Sequence, residues 1–401
     1  MIEVIVPAIW LLVLISGLPL LSETVYSPSL PDIAHALAVS ESMVEYTLTI
    51  YLFGFAIGTL FWGKISDHTG RKPPLLAGLF IFVLGCIGCY HSPTIFSLMV
   101  SRFFQAFGGS VGSVLGQAIC RDAFHGPALG KMYSLIGASI AVFPAIGPVV
   151  GGFIAQHYGW RNIFIFLVFF TFVLIAILAK LLRETHFTAD KKAPRVKDVI
   201  YNLCRDKRVI GCGLLVGGCN GIGFSYFAEG SFYLISLLGL SPQTFGISFL
   251  PMAVMAVVGG LSSRYLHNFY GAERIMKYGV VITVICTAIF TSLILVHMYV
   301  LQLPAIGIIA LTLIAQSGTR FGISLVTGNA LALALTDYKW CIGTASSLFG
   351  FFYYCLISLF TFGMGMLHNG TLLPMPLYFF VISMGMLLVH SKMIDKVKKI
   401  H

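Results

Sequence analysis

The sequence predicts an all-α membrane protein of twelve transmembrane helices, arranged as two pseudo-symmetric six-helix bundles. Three observations carry that prediction. Of 401 residues, 58% are hydrophobic and 10% charged, whereas soluble domains are roughly one-quarter charged. About twelve apolar stretches reach the roughly 20 residues that cross a bilayer. The basic residues fall in alternate joints between those stretches.

The stretches run over 5–30, 43–62, 74–91, 96–121, 130–156 and 160–183, then 209–238, 243–266, 275–297, 303–335, 341–367 and 373–391. Several exceed the bilayer's need, so they must tilt or project. The first lacks a basic leader and outruns the apolar core of a signal peptide, so it reads as a membrane helix. All of the 25 Lys and Arg except Arg102, Arg161 and Arg320 lie in joints of one parity or at the tail. By the positive-inside rule both termini are expected in the cytoplasm, and the alternation requires an even number of helices. The formal charge of +10 therefore speaks of topology, not of nucleic acid. The nine Cys lie almost entirely in apolar runs; Cys86 and Cys89 form a C-x-x-C on one face, but no second pair completes a metal site.

One long polar segment, Glu184–Arg208, divides six helices from six. It reads as a cytoplasmic linker (184–208), with room for a surface helix, between a bundle at 1–183 and a bundle at 209–401 that ends in a short basic tail. The halves echo each other: Gly63-Lys64-Ile65-Ser66 against Gly260-Leu261-Ser262-Ser263, and Gly112/Gly116-Gln117-Ala118 against Gly322/Gly328-Asn329-Ala330. Imperfect repeats of this kind suit two halves that rock about a central site.

Charges inside the bilayer cost several kcal/mol unless paired or wetted, so they are functional candidates. Four stand out: Glu23 in helix one, Arg102 in helix four, Glu229 in helix seven and Arg320 in helix ten. A buried carboxylate can exchange a proton against substrate. The competing reading places Glu23 and Glu229 at the interface, since both lie toward the outer third of their helices, and lets Arg102 snorkel. In helix five, Pro144, Gly147, Pro148, Gly151 and Gly152 put small residues on one face. That allows close helix packing, and Pro148 removes a ladder hydrogen bond. The mechanical expectation is that this contact seals the seam between the halves. Numerous aromatics, among them Tyr51, Phe55, Tyr226, Phe227, Tyr353 and Tyr354, would line a cavity suited to an amphiphile, although most aromatics on membrane helices face lipid.

The joint after helix two, Gly63-Lys64-Ile65-Ser66-Asp67-His68-Thr69-Gly70-Arg71-Lys72, fits G-x-x-x-D-x-x-G-R-[RK], the signature loop of the major facilitator superfamily. Asp67, Arg71 and Lys72 offer paired charges at the cytoplasmic gate. The chain resembles the twelve-helix drug:proton antiporters of that superfamily, and more narrowly the Bcr/CflA (bicyclomycin-resistance) branch. The resemblance rests on Tyr26-x-Pro28-x-Leu30-Pro31, Arg102-Phe103-Phe104-Gln105-Ala106-Phe107-Gly108, the Arg121-Asp122 pair, the Pro144–Gly152 antiporter motif, Gly239–Gly246 and Gly343–Gly350. It implies export of a small molecule against inward proton flow by a monomer in the bacterial inner membrane, with the proton gradient as energy source and no cofactor. It also implies a proton-transfer or acid-holding role for Arg102. One departure stands: the branch's acidic position before the Tyr motif falls on Thr24, and the carboxylate comes one residue earlier, at Glu23, a turn of about 100° on a helix. Arg320 matches none of the motifs that carry the resemblance, and Gly328 stands where the branch tends to place a proline.

No G-x-x-x-x-G-K-[ST] loop is present, which argues against ATP-driven transport. H-E-x-x-H and G-x-S-x-G are also absent, which argues against a membrane protease or esterase. The rival readings are a proton-coupled nutrient importer on the same fold, and a membrane enzyme or sensor, which would need polar catalytic clusters or a sizeable soluble domain.

Overall fold

A computed structural model describes residues 8–124, 126–185, 196–338 and 341–395, with the backbone alone described for 126–141. Among the described residues every regular element is helical. The first half contains α1 (Ile9–Thr24), a 3₁₀ turn (Ser27–Ser29), α2 (Leu30–Leu37), α3 (Glu41–Thr69), α4 (Lys72–His91), α5 (Ile95–Ala123), α6 (Gly126–Tyr158) and α7 (Asn162–Leu181). A short helix, α8 (Val196–Arg205), follows. The second half contains α9 (Lys207–Ser231), which runs into a π turn (Phe232–Leu237), then α10 (Pro242–Ile247), α11 (Phe249–Leu266), α12 (Ala272–Tyr299), α13 (Ala305–Ala334), α14 (Ile342–Leu367) and α15 (Pro374–Val389). Ten of these segments are long and apolar enough to cross a membrane by composition. The other two, α5 and α6, have 29 and 33 residues; α5 is diluted by Arg102, Gln105 and several serines.

The helices start and stop where local chemistry dictates. Thr94 and Ser97 form a capping box at α5, and the Asp206 carboxylate accepts from the Arg208 and Val209 amides at the start of α9, satisfying donors that have no partner within the helix. Gly70, at φ +90°, ends α3 in a conformation that side chains rarely adopt. Two expected helices are broken by proline. The first gives way at Ser27–Ser29, where neither Pro28 nor Pro31 has an amide to donate. The eighth breaks at Ser248, because Pro251 cannot close the bond back to Ile247. The surface helix α8 buries Val199 and Leu203 and packs on α9 and α14. Of the expected linker, residues 186–195 lie outside the described residues, as do 1–7, 339–340 and the tail beyond 395.

Each half builds its own apolar core. One joins residues from Leu11 to Leu182, with Ala228 and Phe232 inserted from the other half; the second joins residues from Val199 to Ile394. They meet along a seam where α3 packs on α14, and α6 on α10 and α11. At Gly152 of α6 a Cβ would run into the Pro242 carbonyl, and at Gly246 of α10 one would run into the Pro148 carbonyl. The chains cross there backbone to backbone because both positions lack a side chain. Two hydroxyls also bond across: Ser27 to the Phe227 carbonyl and Ser358 to the Thr49 carbonyl at 3.0 Å.

Candidate functional site at the seam

Glu23 stands on the last turn of α1 and is 1% exposed, so its carboxylate is enclosed by the protein. Neither carboxylate oxygen has a hydrogen-bond partner among the described residues. The groups within electrostatic reach are Arg102 and, from α3 and α14, Tyr51, Tyr353 and Tyr354. Tyr354 also packs on Phe55 across the seam, ring centroids 4.4 Å apart and tilted by 36°. Glu23 therefore faces the junction of the two halves in an aromatic setting. The neighbouring Thr24 bonds back to the Leu20 carbonyl at 2.9 Å and packs on Gly147.

Arg102 is fully buried, which removes the snorkelling reading. Its guanidinium lies over the Tyr26 and Tyr51 rings, at 4.3 and 4.1 Å from the centroids, and Nη1 donates to Gln105 Oε1 at 2.6 Å. Nε and Nη2 bond to nothing among the described residues. Gln105 in turn donates to the Cys86 sulfur at 3.1 Å, so the C-x-x-C packs against this network. The Tyr26 hydroxyl accepts from Thr47 at 3.1 Å, fixing the ring on which Arg102 rests. Two cation–π contacts and one charge-assisted bond hold the cation and leave two nitrogens free for an anionic partner.

Glu229, also 1% exposed, joins a cluster at the end of the seam away from the Gly63–Lys72 loop. His368, just past α14, bonds Glu229 Oε2 through Nδ1 at 2.8 Å and Glu41 Oε2 through Nε2 at 2.9 Å. Glu45 Oε1 lies 3.8 Å from Nδ1. Glu45 and Glu41 come from α3 in the first half; Glu229 and His368 belong to the second. The bond to the Glu229 carboxylate raises the histidine's pKa above its ordinary 6.5. Glu45, Glu229 and His368 bring ligand atoms within 4.8 Å of one another, close enough to share a proton or grip a cation. Sequence reasoning singled out Glu229 alone. The available signal was Glu41 and Glu45 one helical turn apart at the head of an apolar run.

At the other end, Arg71 is the hub. It donates through Nη1 to Asp67 Oδ1 at 2.9 Å and to the Ser66 hydroxyl at 2.9 Å, and through Nε to Asp122 Oδ2 at 2.7 Å. Glu184 accepts the Arg71 and Lys72 amides, while the Lys72 ammonium goes to the Ala179 carbonyl instead of to Asp67. Arg121 is half-buried beside Cys120. This network ties α3, α4, α5 and the end of α7 within one half; the contact across the seam is Gly63 against Ser347. The glycines of α6 divide likewise. Gly147 and Gly151 press on Thr24, at the end of α1, and on Val25 just past it in the same half, and Gly152 with Pro148 makes the crossing.

Arg320 of α13 lines a cavity on the second-half side of the seam, together with Pro144 and Ala145 of α6 and Ile222, Tyr226, Phe249 and Gln316. The space is about 40 Å³, room for a few waters and not for a drug-sized molecule.

The family model of the major facilitator superfamily matches residues 12–361. A transporter of Rickettsia bellii is 31% identical over 95% of this chain and 94% of its own. A protein of Haemophilus influenzae named as a bicyclomycin resistance protein homolog is 28% identical over 84% of this chain and 83% of its own. Among solved structures, an inward-facing, occupied bacterial homolog of the lysosomal transporter Spinster superposes with a TM-score of 0.75 at 14% identity, covering 97% of both chains. A D-xylose-proton symporter superposes equally well at 16% identity, covering 96% of both. With twelve bilayer-length helical segments among the described residues, a two-core seam and the signature loop in place, the chain belongs to the major facilitator superfamily, a family of membrane transporters.

Proposed function

We propose that the protein is a proton-coupled antiporter that exports a small amphiphilic molecule across the bacterial inner membrane by alternating access, with both termini and the Gly63–Lys72 loop in the cytoplasm. The observation that carries the reading is Glu23: a carboxylate 1% exposed, without hydrogen-bond partners, facing the junction of the halves beside Arg102. A carboxylate there is stable when protonated or when paired with a cation, and expensive when bare. Substrate arriving at the aromatic junction and a proton on Glu23 would thus compete for the same few ångströms. The bundles at 1–183 and 209–401 rock as units, and the Glu41–Glu45–Glu229–His368 cluster closes the outer end. His368 is charged on the acidic side of its raised pKa, so an acidic exterior favours closure after protons have loaded. The Arg71 network stiffens the cytoplasmic end of the first half. Likeness to drug-resistance proteins supports the direction of transport, and a single chain is the working unit.

The test is transport in proteoliposomes with an acidic lumen and a panel of cationic, neutral and anionic amphiphiles outside. Uptake of a compound accompanied by loss of lumenal protons, absent in Glu23→Gln, is the expected result. Uptake only when protons move in the same direction as the compound would sink the antiporter in favour of an importer.

A further inference from the structure

Arg320 places a cation in the middle of a bilayer-length helix with no counter-charge beside it. Its guanidinium makes no hydrogen bond and no ion pair among the described residues, and it lines the second-half cavity without a single carboxylate around that cavity. Gly223 faces it from α9; a Cβ there would stand 3.2 Å from Nη1, so the missing side chain leaves the guanidinium its room. Around it lie the amide of Gln316 and the hydroxyl of Thr319, and beyond them the rings of Tyr226, Phe227 and Phe249. Phe227 and Phe249 are stacked at 4.8 Å and 4°. One wall is closed by Pro144 and Ala145 of the first half, so the cavity bridges the seam.

A cation held in a low-dielectric site without a partner costs several kcal/mol. A planar guanidinium is the group best shaped to recover that cost from a carboxylate, through two parallel hydrogen bonds. We propose that this cavity is a recognition site for the anionic end of the transported molecule: Arg320 binds a carboxylate, Gln316 and Thr319 complete its hydrogen bonds, and the stacked rings hold an apolar body. The proposal rests on the reading that substrate passes through the seam. It adds that the substrate carries an acid group, opposite in sign to what Glu23 alone would select. The small volume means the site widens as Pro144 and Ala145 withdraw.

The experiment is binding calorimetry on purified protein in detergent, with no proton gradient, using 2-naphthoate, its neutral amide and 2-naphthylmethylammonium as probes. Wild type is expected to prefer the carboxylate over the amide by roughly tenfold or more, the size of a charge-assisted hydrogen-bond pair. Arg320→Gln should erase that preference, and Arg320→Lys should keep part of it as a point charge. Thermal unfolding of each variant shows that it is folded. No wild-type preference for the carboxylate, including no binding of any probe, overturns the proposal, as does a preference that survives in Arg320→Gln. Because no gradient is present, a carboxylate that binds through Arg320 without moving protons in liposomes leaves the anion site standing and removes antiport. Proton exchange with compounds of any charge does the reverse.

Discussion

Arg102 is held at zero exposure by two aromatic faces and one glutamine, with two of its nitrogens unbonded among the described residues. A buried charge held mainly by rings is poised: a carboxylate nearby that gains or loses a proton changes its energy by a full charge–charge interaction. At the far end His368 stands between three carboxylates, and the sign of its effect when protonated follows from its raised pKa. The stabilisation is complete below the ordinary histidine value and is lost as pH rises through the raised one. Spin labels at Met43 and Asn369, in a cysteine-free background, should therefore move apart as pH rises. In His368→Gln they should be apart at all pH values, for a loss of roughly 1.5–3 kcal/mol of closed-state preference. A wild-type distance that does not change with pH would contradict this. Arg71→Ala removes the donor shared by Ser66, Asp67 and Asp122 and should lower the unfolding midpoint by an equivalent of about 2 kcal/mol, with transport lost; an unchanged midpoint would contradict the hub. These residue-scale contacts were only partly legible in the sequence. Glu23, Arg102, Glu229 and Arg320 announce themselves as charges in apolar runs. His368 does not: it sits past a helix end, 139 residues from its partner Glu229, and no local pattern reports a meeting at that range.

Helices were legible because a bilayer demands about 20 apolar residues of each, and their breaks followed proline. What a stripe of small residues packs against is a different matter, since periodicity gives a face and not its neighbour. The antiporter motif of α6 was expected to seal the seam. The contacts split it instead, with Gly147 and Gly151 on α1 and Gly152 on α10. Two substitutions separate these roles. Gly151→Ala drives a methyl into the Val25 carbonyl and should cost about 1–3 kcal/mol of stability. Gly152→Leu should leave the first half folded, with a near-normal unfolding midpoint, and abolish transport because the seam cannot close. Equal loss of stability in both variants would argue against the division.

On the scale of the whole molecule, charge sets orientation. The network around Arg71 and the helix α8 lie at the basic end, which the positive-inside rule assigns to the cytoplasm. The protein carries its own reporter: Cys204 on α8 is exposed, whereas the other eight cysteines are buried or half-buried. An impermeant maleimide should label Cys204 in inverted vesicles and leave it untouched in intact cells, and labelling in intact cells would invert the proposed topology and with it the proposed direction of transport. Two halves with separate cores and a thin, glycine-lined seam can exchange seam contacts without unfolding either core, which is the physical content of alternating access. We propose that this exchange is coupled to protons. The most direct measurement of that coupling is proton release into weakly buffered solution when a transported compound, identified in liposomes, binds the purified protein. Release on binding by wild type and silent binding by Glu23→Gln is the predicted result; binding without release in wild type, or undiminished release in the variant, would contradict the account.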